Sequence, residues 1–108
     1  MVVNRNAALS IRRFLFELKK EIRIERVILF GSYAQGKPHR FSDIDIAVIS
    51  ADFQRFAPVE RLALLGKVAW RVKATEIEAL GFTSEEYKRT NRFDFLYEIK
   101  RKGKVLTV

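Results

Sequence analysis

Two short apolar runs, joined by a polar stretch that opens on glycine, constrain this chain more than any other feature. Val27-Ile28-Leu29-Phe30 leads directly into Gly31-Ser32. Ten residues later come Asp43-Ile44-Asp45, and then Ile46-Ala47-Val48-Ile49. Runs of this length, rich in β-branched residues and bounded by Gly, Ser and Pro, read as strands. The spacing predicts a strand, a polar loop and a second strand.

Strand side chains alternate faces, so Asp43, Asp45 and Ala47 share one face and Ile44, Ile46 and Val48 the other. The isoleucine face can enter a core while both carboxylates emerge together. Two like charges about 6–7 Å apart along a strand repel one another, and nothing in the strand itself calls for them. A hard divalent cation removes that conflict, and Mg²⁺ prefers carboxylate and phosphate oxygens. An isolated Asp-x-Asp is ordinarily just a solvated strand face. Here the Gly-Ser lead-in and the strands on both sides favour the metal reading.

The loop fits an anion. Gly31 lacks a Cβ and permits close backbone approach, and Ser32 adds a hydroxyl donor. A helix starting near Ser32 would offer free N–H groups, with Gly36-Lys37-Pro38 ending it. Lys37 and Arg40 add positive charge suited to a triphosphate, although a solvated basic loop accounts for them equally well. His39 reads as exposed rather than catalytic, and Ser42 as a backbone hydrogen-bonder at the loop's end.

Gly31-Ser32, ten residues, then Asp43-x-Asp45 between apolar strands resembles the signature of the DNA polymerase β nucleotidyltransferase superfamily. The short length resembles its minimal nucleotidyltransferases, small proteins often paired with HEPN-domain partners. The resemblance implies an α/β (α+β) fold, a small mixed sheet backed by helices. It also implies a nucleoside triphosphate donor, with ATP expected, and two Mg²⁺ ions. An acceptor hydroxyl would attack the α-phosphate and pyrophosphate would leave. Carried over, Gly31 and Ser32 would hold the triphosphate, with Lys37 and Arg40 beside them, and Asp43 and Asp45 would ligate metal.

The family pattern also needs a third carboxylate on a later strand. The stretch from Lys73 to Phe82 alternates, with Thr75, Ile77 and Ala79 opposite Glu76, Glu78 and Leu80. Glu76 fits the pattern's register best as catalytic residue and metal ligand, and Glu78 is the alternative. Both are glutamate where the pattern carries aspartate. The plain reading is two solvent-facing glutamates on an edge strand.

Elsewhere, helical spacing runs over Asn6 to Ile22 (Leu9, Ile11, Phe14, Leu18, Ile22), with Asn6 as a candidate N-cap. Phe14 and Phe16 cannot face one core together. Pro58 to Arg71 is a second helix, with Leu62, Leu65, Val68 and Ala69 recurring and Pro58 in its first turn. Thr83-Ser84-Glu85-Glu86 fits a capping box. Phe93, Leu96, Tyr97 and Lys100 lie at helical spacing, Gly103 stops that helix, and a brief last strand follows. The aromatic cluster Phe93 to Tyr97 reads first as core and second as a protein interface.

At 108 residues and 48% hydrophobic, residues 1–108 read as one domain with a modest core. No cysteine is present, which excludes disulfides and thiolate metal sites. No signal peptide or membrane-length apolar run is evident, so a cytoplasmic setting is expected. A net charge of +8 favours acidic partners. The leading expectation is a Mg²⁺-dependent nucleotidyltransferase acting on a hydroxyl of a HEPN-domain partner, as antitoxin of a toxin–antitoxin pair. The alternative is a non-catalytic binding module of the same fold. A second copy of the chain is a further candidate partner, and nucleic acid is less favoured.

Overall fold

The strand–loop–strand pattern is realised as two central strands of a four-stranded mixed sheet. A computed structural model describes residues 5–36 and 43–107. In chain order the elements are α1 (Arg5–Leu18), β1 (Arg26–Phe30), α2 (Gly31–Ala34), β2 (Ile44–Ile49), a 3₁₀ turn (Ala51–Arg55), α3 (Pro58–Arg71), β3 (Ile77–Phe82), α4 (Ser84–Lys88), α5 (Phe95–Lys102) and β4 (Lys104–Leu106). The sheet order is β3-β2-β1-β4. β1 runs antiparallel to β2 and β4, while β2 and β3 are parallel and joined through α3.

Both sheet faces carry apolar residues, but unequally. Val27, Leu29, Ile44, Ile46, Val48 and Ile77 pack against Phe14 and Leu18 of α1 and Leu65 and Val68 of α3. This is the main core, and each such side chain contributes about 1.5–3 kcal/mol when fully buried. On the opposite face Ile28 and Ala47 meet Leu96 and Ile99 of α5, with Phe30, Leu80 and Phe82 partly buried at the margin. The second face is therefore covered at one part and left accessible at another.

Local signals behave as their chemistry requires. Pro58 occupies the first turn of α3, where its missing N–H costs nothing. The Thr83 hydroxyl accepts from the Glu86 N–H at 3.0 Å, and the Glu86 carboxylate accepts from the Thr83 N–H at 2.7 Å. Phe14 is fully buried and Phe16 is 67% exposed, so the two rings diverge as their spacing demands.

Other expectations shift. α1 ends at Leu18, though Ile22 is still buried beyond it, and Asn6 lies inside the helix rather than capping it. Leu62 is 51% exposed, because Leu65, Val68 and Ala69 define the inward face of α3 without it. Phe93 and Phe95 are exposed, and the inward residues of α5 are Leu96 and Ile99. β3 begins at Ile77, four residues later than the alternation suggested. The chain first makes a turn in which Lys73 adopts φ 59° and the Ile77 N–H bonds the Ala74 carbonyl at 3.0 Å.

Candidate active site

Register places the carboxylates. Asp45 on β2 lies opposite Phe30 of β1 and opposite Glu78 of β3. Directly paired strand residues project from the same face, so Glu78, Asp45 and Phe30 form a row across three strands. That row lies on the α5 side of the sheet, beyond the edge of the small apolar cluster. Asp43 is exposed one residue before β2 and brings a second aspartate to the same end.

Gly31 is fitted to Asp45. Its φ of +73° is one that only glycine adopts at little cost. A Cβ there would stand 3.2 Å from the Asp45 Cγ and closer still to Oδ2. The absence of a side chain at Gly31 is thus what lets the first strand's end sit against the carboxylate. Ser32 follows in α2, a single helical turn, and is partly buried.

The acidic groups feel one another. Burial, and then the charge of Asp43, hold the Asp45 carboxyl above its ordinary value. Glu78 is also raised, first through a hydrogen bond with Asp43 and then through repulsion from Asp43, with its own desolvation and Asp45 adding to the effect. Such mutual repulsion marks a site short of positive charge. Three carboxylates are the hard-oxygen donor set that Mg²⁺ takes. Among the described residues, no three side chains already converge in a metal-holding arrangement.

Glu76 goes elsewhere. It sits in the turn before β3, so strand alternation does not reach it. Its carboxylate accepts a hydrogen bond from Ser10 Oγ of α1, and its backbone carbonyl accepts from the Ile44 N–H at 2.8 Å. The structure therefore brings Glu78, not Glu76, to Asp43 and Asp45. Lys37 and Arg40, with His39 and Ser42, lie outside the described residues.

Local sequence pattern gives two aromatic side chains no place at this site: Phe30, which belongs to the row, and Phe95, which stands against it. Their rings meet edge to face, with centroids 5.9 Å apart at 83°. The available signal was the pairing of Phe30 with Asp45, which follows once the two strands are taken as antiparallel neighbours.

Comparison with known proteins adds independent findings. Residues 11–105 match the family model described as the nucleotidyltransferase domain. A 30-residue segment is 60% identical to the protein adenylyltransferase MntA of Shewanella oneidensis, covering 28% of this chain and only 22% of that protein. Among solved structures, a nucleotidyltransferase of inferred function from Sulfolobus solfataricus is similar in fold, with a TM-score of 0.58 at 19% identity over 97% of this chain and 89% of that one. A toxin–antitoxin structure with AMP-PNP gives a TM-score of 0.60 at 28% identity, over 89% and 71% of the two chains. A mutant MntA–HpeT toxin–antitoxin structure, in which two aspartates two positions apart are replaced by glutamate, gives 0.54 at 26% identity, over 97% and 73%.

Proposed function

Because the chain belongs to the nucleotidyltransferase domain family, we propose that it transfers a nucleoside monophosphate from a nucleoside triphosphate, ATP first among them, to an acceptor hydroxyl. The observation that carries this reading is the row Glu78–Asp45, with Asp43 against Glu78 and Gly31 backed onto Asp45. Asp43, Asp45 and Glu78 are the residues that would hold Mg²⁺, the third role falling to Glu78 on its position. Two such ions would neutralise phosphate charge and stabilise both the entering and the leaving oxygen.

The chain's own residues do the rest. Gly31 lets the backbone approach the triphosphate, and Ser32 offers it a hydroxyl. Asp43, Asp45 and Glu78 would position the α-phosphate through the cations they hold. A new bond forms between the acceptor oxygen and the α-phosphorus, and the bond from that phosphorus to the β-phosphate bridging oxygen breaks. The acceptor's proton passes to a carboxylate of the cluster or to water, and pyrophosphate departs.

The similarity to toxin–antitoxin structures supports a protein acceptor, and we read a HEPN-domain toxin as the partner and this chain as its antitoxin. The test is transfer of label from α-labelled and from γ-labelled ATP to a co-purified partner with Mg²⁺ present. Label should move only from the α position and vanish in Asp43→Ala/Asp45→Ala. Transfer that survives the double substitution, or that follows the γ-label, overturns the reading.

A binding module without catalysis is the second reading. Phe93 at 84% exposure and Trp70 at 76% favour it, since both present large apolar surface to a partner. Neutralisation of the partner that persists in the double variant would select it.

A further inference from the structure

Phe95 touches two places at once. Its ring stands edge-on to Phe30, whose pairing with Asp45 puts it beside the carboxylate row. The same side chain lines a cleft of about 540 Å³ between α4 and α5. Phe82, Leu96 and Thr90 also line that cleft.

The cleft opens on the same face as the carboxylates. Phe82 lies four residues beyond Glu78 on β3, an even spacing, so both side chains leave one face of the sheet, about 13 Å apart along the strand. By ordinary bond lengths, a ribose and base together reach on the order of 10 Å from an α-phosphorus. A nucleotide whose α-phosphate sits at Asp45 and Glu78 and that extends along β3 toward Phe82 would bring its base toward this cleft.

The lining suits a flat, weakly polar ring rather than a charged group. The charged residues at the rim are already engaged: Glu86 with Arg61 at 2.8 Å, Glu85 with Arg89 at 3.1 Å, and Asp94, whose carboxylate accepts from the Asn91 N–H at 3.0 Å. Thr90 Oγ1 already accepts from the Lys100 ammonium at 3.2 Å. What remains facing the space is the apolar surface of Phe82, Phe95 and Leu96. A mostly apolar cleft with a few polar groups, in this volume range, is the usual form of a small-molecule site. Phe95 is 61% exposed, so its ring is available to a ligand.

We propose that the cleft between α4 and α5 receives the nucleobase of the donor nucleoside triphosphate, with Phe95 and Phe82 as the side chains that contact it. The inference rests on the nucleotidyltransferase reading above, and it assigns the base a place that the motif residues do not. Phe95 then secures the base against the sheet while Gly31 and Ser32 hold the phosphates.

The experiment compares Mg²⁺-ATP with Mg²⁺-tripolyphosphate, which has the phosphates and no base, by calorimetry on the wild-type chain, Phe95→Ala and Phe95→Trp. Wild type should bind ATP more tightly than tripolyphosphate. Phe95→Ala should weaken ATP about tenfold, within the range for loss of a base–aromatic stack, and leave tripolyphosphate unchanged. Phe95→Trp should retain ATP affinity. Equal weakening of both ligands, or unchanged ATP affinity in Phe95→Ala, overturns the proposal. If Phe95→Ala keeps ATP but loses transfer to the partner, the cleft serves the acceptor and the base assignment is wrong. If wild type binds ATP and tripolyphosphate equally, this inference alone falls. If it binds neither, the nucleotidyltransferase reading falls and takes the inference with it.

Discussion

Replacing Gly31 by alanine tests the fit between the first strand's end and Asp45, and the chain supplies its own control. Gly31 and Gly36 have nearly the same backbone, φ +73° and +71°, but different surroundings. In this left-handed conformation alanine costs about 1–2 kcal/mol at either position. At Gly36 an added Cβ meets nothing within 4 Å, so the backbone cost is the whole effect. At Gly31 the Cβ would stand 3.2 Å from the Asp45 Cγ, and the carboxylate must rotate away. Holding a side chain off its rotamer adds about 0.5–1.5 kcal/mol. Gly31→Ala should thus destabilise the fold by roughly 2–3 kcal/mol. In a domain of this size each kcal/mol moves Tm by about 4–8 °C. Urea and thermal unfolding of both variants give the comparison. In an Asp45→Ala background the excess at Gly31 should disappear, leaving the two glycine positions alike. Gly31→Ala should also lower affinity for Mg²⁺-ATP, whereas Gly36→Ala should not. Equal costs at the two glycines, or an excess that persists without Asp45, refutes the reasoning.

Further outcomes follow from the same geometry. Glu78→Gln should lower transfer about 100-fold or more, the scale of removing one electrostatic group from an active site, while Glu76→Gln should leave the rate near wild type; initial rates with α-labelled ATP decide it. Because Asp45 and Glu78 are held above their ordinary range, they favour the fold when protonated and that contribution is lost as pH rises through their folded-state values. Metal-free protein should therefore lose stability between acid and neutral pH, Asp45→Asn should remove the share that Asp45 contributes, and Mg²⁺ should restore stability in thermal melts. Glu86 behaves oppositely. Desolvation alone would raise it, but the Thr83 N–H and the Arg61 guanidinium hold it below its ordinary value, so its contribution is lost as pH falls. Arg61 is buried and donates to the Phe56 and Gly81 carbonyls and to Glu86. Arg61→Ala should cost about 2–4 kcal/mol in urea unfolding.

Much of this site was legible because period-two alternation is a local rule. Once Ile44, Ile46 and Val48 claim the core, Asp45 must leave the other face, and the glycine before the loop marks a close approach. The α3 helix and the Thr83 cap were legible for the same reason, since both rest on contacts within a few residues. Which of Glu76 and Glu78 lies beside Asp43 and Asp45 was not. Glu76 and Glu78 have the same local pattern, and only the start of β3 separates them. That start is set by the parallel pairing of Ile77 with Ile44, a long-range contact. The Phe93 to Tyr97 cluster misled in a similar way. Its aromatic rings outweigh Leu96 and Ile99 in hydrophobicity, yet helix phase against Ile28 and Ala47 turned the aliphatic pair inward.

The most direct test of the account is to locate the metal. Crystals grown with Mn²⁺ in place of Mg²⁺ and a non-hydrolysable ATP analogue should show anomalous density bounded by Asp43, Asp45 and Glu78, with the α-phosphate as a further ligand and Glu76 still bonded to Ser10. Density that forms around Glu76 instead, or no metal at the carboxylates with nucleotide bound, would contradict it.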